Sequence, residues 1–313
     1  MLYKGMHQRS PFTVITLGTG AALPARGRYP TAQLVQIGGA TYLVDCGEGT
    51  QERLRSEGIN FMAIDRIFIS HLHGDHYLGL MGLISSMHLL GRRKQLHVYG
   101  PKELKEVLDV QLRVSGTYLR FPLEMHPVAP ASGEVLVSDA RVTVTSLALK
   151  HRIACTGFLF KEVLGPRRLR PDQVEVIPIR ERAAVKNGAD VSLPDGRVIP
   201  NADLTIDPEP PRSYAYCSDT AYEPALIPYL LGVDLLYHEA TFNNAMAPKA
   251  KETMHSTAGQ AAEIAKAAGV SRLLIGHFSS RFKSVDGLLA EARSIFPNTE
   301  LSFEGGRFQV GGG

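Results

Sequence analysis

The amino-acid sequence predicts a layered α/β domain, in which helices cover the faces of β-sheets. Short β-branched or aromatic runs, bounded by glycine or charge, alternate with longer apolar stretches of helical character along the chain. Hydrophobic residues make up 44% and charged residues 21% of the 313 residues, a balance that is typical of globular proteins and argues against disorder. No apolar run reaches the length of about 18 residues that a membrane-spanning helix needs, so we expect no membrane partner.

The predicted elements mix strands and helices from one end of the chain to the other. Pro101 stands at a first-turn position of one helix, and Gly91 and Gly269 end two others. Because helices follow strands throughout, we expect the strands to form sheets that the helices cover. The predicted strands are residues 12–17, 41–44, 64–69, 142–149, 155–160, 234–237 and 272–275, and the predicted helices are residues 77–90, 101–108, 256–268 and 285–295.

The cysteines and the first residues indicate a reducing compartment. Cys46, Cys155 and Cys217 lie far apart without a CxxC pair, and the first ten residues lack the apolar segment of a secretory signal. We therefore expect a cytoplasmic location, with Cys155 and Cys217 as small buried side chains rather than metal ligands. The net charge of +3 is too small to indicate a nucleic-acid partner, so that argument must rest on local charge.

Residues 162–212 interrupt the alternation of strands and helices. They contain eight prolines and little periodicity, and the overlapping window 150–186 has nine basic and four acidic side chains, a net charge of +5. An insertion of this length in a compact domain is usually functional or disordered rather than part of the core. We predict one domain over residues 1–313 with a basic, proline-rich arm inserted at 162–212. The alternative is a solvated surface loop.

The segment that carries the chemistry lies between a predicted strand and a predicted helix. Within six residues it contains His71, His73, Asp75 and His76. His71 and His73 project to the same side of an extended segment, and Asp75 and His76 follow the bend at Gly74. Imidazole and carboxylate groups at this spacing can converge on metal. The alternative is a surface turn that is merely rich in histidine.

Further candidate ligands follow other strands. His151, Asp219 and His277 each come just after an apolar strand run, where side chains emerge at one edge of a sheet. Singly, each is more often a structural polar residue, but together they complete a ligand set for two ions. The remaining histidines outside the motifs are expected to be structural or on the surface: His7, His88, His97 and His126.

The pattern His-x-His-x-Asp-His, with later His, Asp and His, resembles the metallo-β-lactamase superfamily. Four further stretches are similar to the ribonuclease Z family of tRNA 3′-processing endonucleases, and the resemblance extends from about Phe12 to Phe308. It implies a four-layer αβ/βα metallo-β-lactamase fold with a protruding arm. The four stretches are Gly-Thr-Gly-Ala-Ala-Leu-Pro at 18–24, His-Glu-Ala-Thr-Phe at 238–242, His-Ser-Thr-Ala at 255–258 and Gly-His-Phe-Ser-Ser-Arg at 276–281.

The resemblance implies two zinc ions per subunit. His71, His73 and His151 would hold one ion, Asp75, His76 and His277 the other, and Asp219 would bridge them. The residue types agree independently, because imidazole with carboxylate suits Zn²⁺ whereas an all-oxygen set would favour Mg²⁺.

The resemblance also implies catalytic roles for three residues. Asp75 would accept a proton from the attacking water, and Glu239 with His255 would relay a proton to the leaving oxygen. The alternative for His255 is a polar residue at a helix N-terminus, where Ser256 is the expected N-cap.

The family's tRNA-gripping arm would correspond to the basic insertion. Arg167, Arg168 and Arg170 are the candidate phosphate contacts there, and basic side chains on an arm bind RNA by shape and charge rather than by base sequence. Arg26 and Arg28 are further candidates. They lie in Pro-Ala-Arg-Gly-Arg-Tyr at 24–29, where many bacterial members have Pro-x-Lys-x-Arg-Asn in a loop linked to the rejection of tRNAs that already carry CCA.

The function implied is removal of the 3′ trailer from precursor tRNA. The cut would lie 3′ to the discriminator base and leave a 3′-hydroxyl on the tRNA and a 5′-phosphate on the trailer. The resemblance further implies a homodimer, in which the arm of one subunit holds tRNA for the site of the other. Two alternatives remain: a phosphodiesterase of the same fold acting on small esters, and an RNA-binding scaffold with a degenerate metal site.

Overall fold

Two facing sheets form the centre of the computed structural model, which describes residues 9–311. The chain divides into two units, one reaching up to Lys161 and resuming at Arg212, the other comprising Glu162–Pro211. His7 lies outside the described residues. Among the helices of the described residues, none is long and apolar enough to cross a membrane.

The strands and helices of residues 9–311 are numbered in chain order. The strands are β1 (Phe12–Gly18), β2 (Ala32–Ile37), β3 (Ala40–Val44), β4 (Ile64–Phe68), β5 (Leu96–Gly100), β6 (Leu123–Pro127), β7 (Val135–Ser138), β8 (Val142–Leu149), β9 (Cys155–Glu162), β10 (Arg168–Leu169), β11 (Val191–Ser192), β12 (Val198–Ile199), β13 (Thr205–Ile206), β14 (Ser213–Cys217), β15 (Leu235–Glu239), β16 (Leu273–Gly276), β17 (Thr299–Leu301) and β18 (Arg307–Gln309). The α-helices are α1 (Thr50–Ser56), α2 (Gly74–Tyr77), α3 (Leu80–Leu89), α4 (Leu104–Val114), α5 (Arg182–Lys186), α6 (Asn201–Leu204), α7 (Ile227–Leu230), α8 (Ala247–Thr253), α9 (Ala258–Ala268) and α10 (Asp286–Ile295).

Each central sheet has seven strands. The first has the order β18-β1-β2-β3-β4-β5-β6, and its strands from β3 to β6 are parallel. The second has the order β17-β16-β15-β14-β9-β8-β7, and its strands from β14 to β17 are parallel. Aromatic rings fill the space between the sheets, with ring centroids 5.9 Å apart for Tyr42 and Phe160 and 5.2 Å apart for Phe68 and Phe158.

The outer faces of the sheets carry the helices. Alternate residues of a strand face opposite sides, so Val14 enters the core between the sheets whereas Ile15 joins the core beneath α1, α3 and α4. The outer face of the second sheet packs in the same way against α9 and α10. The layers are therefore helix, sheet, sheet and helix, which confirms the predicted four-layer αβ/βα fold. Cys155 and Cys217 are buried, as predicted, and all three cysteines are free.

Two local predictions were wrong. The helix predicted over 77–90 is interrupted between α2 and α3, where the N–H of Gly79 donates to the carbonyl oxygen of Cys46 in the loop after β3 rather than within a helix. The N-cap of α9 is Thr257 rather than Ser256. Thr257 forms a capping box with Gln260, while the hydroxyl of Ser256 donates to the carbonyl oxygen of Thr220.

The unit Glu162–Pro211 has a small apolar core of its own. Ile177, Val185, Val191 and Leu204 are buried together. Two short strand pairs, β10 with β13 and β11 with β12, surround them. The side-chain amide of Asn201, the first residue of α6, donates to the carbonyl oxygens of Val185 and Ala189. These hydrogen bonds join the start of α6 to the turn that follows α5. This segment is therefore a folded unit despite its irregular sequence.

Candidate metal centre

The predicted ligands come together where strands of both sheets end. His71 follows β4, His151 follows β8, Asp219 follows β14 and His277 follows β16, each within three residues of the strand. Carboxyl ends of strands are where α/β folds assemble sites from distant parts of the chain.

Three acidic or imidazole residues at these strand ends adopt a left-handed backbone conformation. Their φ angles are 56° at Asp45, 55° at Asp219 and 59° at His277. This conformation costs about 1 kcal/mol in a residue other than glycine, and such residues cluster at functional sites.

The first group of ligand atoms consists of three imidazole nitrogens and one carboxylate oxygen. Nδ1 of His73 lies 3.0 Å from Nε2 of His71 and 3.1 Å from Nε2 of His151. Oδ2 of Asp219 lies 3.6 Å from Nε2 of His71 and 3.7 Å from Nε2 of His151. All four atoms lie within 4.8 Å of one another.

The second group uses the other oxygen of the same aspartate. Oδ1 of Asp219 lies 3.1 Å from Nε2 of His76 and 3.0 Å from Nε2 of His277. Oδ2 of Asp75 lies 3.6 Å from each of these two nitrogens. The structure thus brings all seven predicted ligands together, with Asp219 between the two groups.

The donor atoms fit divalent metal ions. A tetrahedral ion with ligand distances of about 2.1 Å separates its ligand atoms by about 3.4 Å, close to the spacing within both groups. The Nε2 atoms of His76 and His277 are buried and have no hydrogen-bond partner within residues 9–311, a costly arrangement that an ion would relieve. Burial disfavours the charge of Asp219, yet the imidazoles of His277 and His76 outweigh it and hold the pKa of this carboxyl well below its usual value.

Asp45 orients His76, a role that the sequence did not reveal. Oδ2 of Asp45 accepts hydrogen bonds from Nδ1 of His76 at 2.7 Å, from the hydroxyl of Tyr216 at 2.6 Å and from the hydroxyl of Ser70 at 2.9 Å. Such partners fix the tautomer and direction of a ligating imidazole. The available signal was an aspartate directly after β3, in Val-Asp-Cys-Gly at 44–47.

A second chain of hydrogen bonds links His277 to Glu239 and His255. Nδ1 of His277 donates to the hydroxyl of Thr241 at 2.9 Å, and this hydroxyl donates to Oε2 of Glu239 at 2.5 Å. Nδ1 of His255 donates to Oε1 of Glu239 at 2.9 Å. Burial opposes protonation of His255, but the buried carboxylate of Glu239 outweighs it and raises the pKa of His255 to about 9. Thr241, whose role the sequence did not reveal, links the imidazole of His277 to the carboxylate of Glu239.

The two groups open into a cleft of about 630 Å³. His73, Asp75 and His255 line it, together with Arg281. Oδ2 of Asp75 accepts a hydrogen bond of 2.7 Å from the backbone N–H of Ala22, in the loop after β1. The cleft is therefore open to residues of both metal-binding groups and to His255, while Glu239 is buried behind it.

The arginines predicted to bind RNA differ in their surroundings. Arg26 donates to the carbonyl oxygen of Ser280 at 2.7 Å, and Arg28 donates to that of Phe282 at 2.7 Å, so both tie their loop to the segment after His277. In the unit Glu162–Pro211, Arg167 pairs with Asp207 and Arg168 lies 3.3 Å from Glu209, whereas Arg170 is exposed. Part of the guanidinium charge at these positions is thus already paired within the protein.

Known proteins match the chain over most of its length. Ribonuclease Z from Bacteroides fragilis is 46% identical over 295 residues, which cover 94% of this chain and 97% of that protein. Ribonuclease Z from Cytophaga hutchinsonii is 43% identical, with 96% of each chain covered. The family model described as anti-Pycsar protein Apyc1 matches residues 12–126.

Solved structures agree with these relatives. The human short-form tRNase Z superposes with a TM-score of 0.69 at 26% identity, covering 96% of this chain and 99% of that one. The metallo-β-lactamase fold protein YhfI from Bacillus subtilis gives 0.68 at 21% identity, covering 96% and 100%. The four layers and the paired His/Asp groups define a hydrolase of the metallo-β-lactamase fold with a metal cofactor. Within that class, the chain belongs to the ribonuclease Z family.

Proposed function

We propose that this chain is a zinc-dependent endoribonuclease that removes the 3′ trailer from precursor tRNA in the cytoplasm. The cut lies 3′ to the discriminator base and leaves a 3′-hydroxyl on the tRNA and a 5′-phosphate on the trailer. One observation carries the proposal: the donor atoms of all seven candidate ligands converge beside a cleft that His255, paired with Glu239, also lines, in a chain that is 46% identical to a ribonuclease Z over 94% of its length.

Two Zn²⁺ ions per subunit suit this donor set. His71, His73 and His151 would hold one ion, Asp75, His76 and His277 the other, and Asp219 both. Five imidazoles with two carboxylates favour a borderline cation over Mg²⁺ or Ca²⁺. Bound there, the ions supply Lewis-acid stabilisation of the charge that develops on the phosphate during hydrolysis.

Asp75 is the base of the proposed reaction. Burial disfavours its charge, but the imidazole of His76 outweighs that effect and holds the pKa of Asp75 well below its ordinary value, so the carboxylate is ionised. Its Oδ2 is held towards the cleft by the N–H of Ala22. Asp75 accepts a proton from the water whose oxygen attacks phosphorus.

His255 is the acid of the proposed reaction. The bond from phosphorus to the 3′-oxygen of the discriminator nucleotide breaks, and this oxygen needs a proton to leave as a hydroxyl. Glu239 occupies Nδ1 of His255 and stabilises the protonated ring, which leaves Nε2 as the nitrogen that gives up the proton.

The two alternative functions are less well supported. A phosphodiesterase for small esters has no use for a separate folded unit at residues 162–211. The unit as a whole is not basic as predicted, since it has seven basic and nine acidic side chains, and its candidate phosphate contacts are the clustered Arg167, Arg168 and Arg170. A scaffold with a degenerate metal site would not need seven ligand residues whose donor atoms converge as they do here. Both alternatives predict no accurate cleavage of tRNA.

Cleavage of two end-labelled precursor tRNAs tests the proposal, one trailer beginning with CCA and one without it. We expect metal-loaded protein to cut the substrate without CCA directly after the discriminator, and an Asp75→Ala protein purified in parallel to be inactive. Equal cutting of both substrates would retain the function and assign altered discrimination to the loop at 24–29. If neither is cut while bis(p-nitrophenyl) phosphate is hydrolysed, the small-ester alternative replaces the proposal.

We also propose that two copies associate through an apolar patch formed by the ends of α3 and α4. Leu89, Val114 and Tyr118 have exposed fractions of 76%, 75% and 89%. The two hollows that these residues line share Ser85 and Thr117, so the patch is continuous. Contiguous exposed apolar surface of this kind is typical of protein–protein contacts.

Substitution within the patch is expected to separate the copies. A Leu89→Glu/Val114→Glu protein should sediment as a monomer at micromolar concentration, where the unchanged protein sediments as a dimer, because each dimer would otherwise bury four carboxylates. Leu231→Glu is the matched control, since Leu231 is equally apolar and 66% exposed but follows α7. An unchanged protein that is already monomeric in sedimentation would contradict the proposal.

A further inference from the structure

A second cluster of imidazole and carboxylate groups lies on β5 and β6, away from the cleft. In the parallel pairing of these strands His97 stands opposite Glu124 and Tyr99 opposite His126. Alternate residues of a strand share a face, so Glu124 and His126 point to the same side, and His97 joins them from the neighbouring strand. None of these residues lines the cleft of the candidate metal centre.

Three donor atoms converge in this cluster. Nδ1 of His97 lies 3.0 Å from Nε2 of His126 and 3.4 Å from Oε2 of Glu124, and Nε2 of His126 lies 3.7 Å from Oε1 of Glu124. The two groups of the cleft show the same spacing, with separations from 3.0 to 3.7 Å between neighbouring donor atoms. One donor atom from each of the three residues lies within 4.8 Å of the other two, and the separations of 3.0 to 3.7 Å are close to the edge of a metal tetrahedron, which measures about 3.4 Å.

We propose that His97, Glu124 and His126 form a third metal site that takes a borderline transition-metal cation such as Zn²⁺, Co²⁺ or Ni²⁺. Two imidazoles with one carboxylate are poor ligands for Mg²⁺ and Ca²⁺, which prefer oxygen, and suitable ligands for the later first-row ions. The side chains are 29%, 48% and 30% exposed in chain order, so water can complete the coordination. The prediction that His97 and His126 have only a structural or surface role is corrected by this proposal.

Neighbouring groups hold the three ligands in place. The side-chain amide of Gln95 donates to Oε2 of Glu124, and the ring of Tyr99 stacks on that of His126 with centroids 4.3 Å apart. Partners of this kind orient metal ligands and strengthen binding.

The nearby positive charge lowers the expected affinity without preventing binding. Arg66 stands opposite His97 on β4, and its cationic guanidinium repels a metal ion. Part of that charge is offset by the carboxylate of Asp139, whose Oδ2 lies 3.5 Å from Nη1 of Arg66. The guanidinium also lies over the ring of Tyr42. We therefore expect this site to bind less tightly than the groups in the cleft, which share the buried carboxylate of Asp219.

The site would fasten the edge of the first sheet. In the described residues β6 is the last strand of that sheet, with one paired neighbour, β5. An ion held by one ligand from β5 and two from β6 links the strands through side chains as well as through backbone hydrogen bonds. Because binding to the folded state alone stabilises it, zinc should raise the melting temperature through this site.

Equilibrium dialysis of the whole protein against Zn²⁺, with metal counted by mass spectrometry, tests the third site. We expect three ions per subunit at saturation in the unchanged protein and two in a His97→Gln/His126→Gln protein that still cleaves precursor tRNA. His88→Gln is the matched control and should keep three ions, because His88 lies on α3 and its ring accepts a hydrogen bond from the N–H of Arg120.

Two further variants make the outcome unambiguous. Glu124→Gln keeps the shape of the cluster and should weaken binding of the third ion at least tenfold. Asp219→Ala should lose ions from the cleft but keep the one on β5 and β6, which separates this proposal from the proposed function. Equal zinc content in the unchanged and the His97→Gln/His126→Gln proteins would overturn it, and would leave a hydrogen bond between two imidazoles as the reason for their contact.

Discussion

An Asp219→Ala protein is expected to lose metal from both groups of the cleft and to cut precursor tRNA more than about 10³-fold more slowly. Charge stabilisation by bound ions is worth several kcal/mol, and a factor of ten in rate corresponds to about 1.4 kcal/mol. Each oxygen of Asp219 faces two imidazole nitrogens, one pair in each group. Removal of this one side chain therefore takes a ligand from both groups. It also removes the carboxylate charge that the buried imidazoles face.

A His255→Asn protein distinguishes the loss of a proton donor from the loss of a metal ligand. It should keep the metal content of the cleft and still cut about 10²- to 10⁴-fold more slowly, because it removes an acid rather than a ligand. A nitrogen of His255 lies within 4.8 Å of donor atoms of Asp219 and His277, so a ligand role is the alternative. Metal loss in His255→Asn would establish that alternative, and full metal content with full activity in Asp219→Ala would refute the proposed site.

A protein without the unit Glu162–Pro211 should lose cleavage of precursor tRNA but keep hydrolysis of bis(p-nitrophenyl) phosphate. Lys161 and Ser213 are antiparallel partners on β9 and β14, so replacing residues 162–212 by Asn-Gly joins the two strands through a two-residue hairpin turn. The two sheets and the seven ligands lie outside the deleted residues. The chemistry should therefore survive while the contacts to RNA phosphates are lost.

A milder variant tests whether charge is the cause. In Arg168→Gln/Arg170→Gln the small core of the unit is untouched, and we expect weaker tRNA binding with a shallower dependence on salt concentration, since fewer counterions are released.

For the deletion protein, an unchanged KM for precursor tRNA would contradict a role of this unit in binding. Loss of both activities would instead indicate that the joined hairpin disturbs the central sheets, and near-native circular dichroism would argue against that explanation.

The sequence identified those site residues whose neighbours carry a pattern. His71, His73, Asp75 and His76 are close together in the chain, and the distant ligands follow strands that their apolar runs reveal. Asp45 also follows a predicted strand and Thr241 lies within His-Glu-Ala-Thr-Phe, but their roles were missed because each acts on a histidine more than thirty positions away. Their roles depend on which strand ends meet, and that is decided by sheet order rather than by local spacing.

Register and close approach limited the remaining predictions. The contact between His97 and His126 exists only because β5 and β6 pair in one particular register, which nothing within either strand specifies. At the break before α3 the N–H of Gly79 donates to the carbonyl oxygen of Cys46, which lies in a distant loop. The apolar residues that form the core of the unit Glu162–Pro211 are too widely spaced in the chain to give a helical or strand period.

The residues with left-handed backbone conformation at the strand ends limit how far the thermal stability of this protein can be raised. At Asp219 and His277 glycine would relax the backbone, as it does at many turns, yet glycine would also remove a proposed ligand. At these positions, activity therefore requires the proposed ligand, whereas thermal stability would favour glycine. Attempts to engineer a more durable enzyme should leave them alone and look for gains in surface helices and loops.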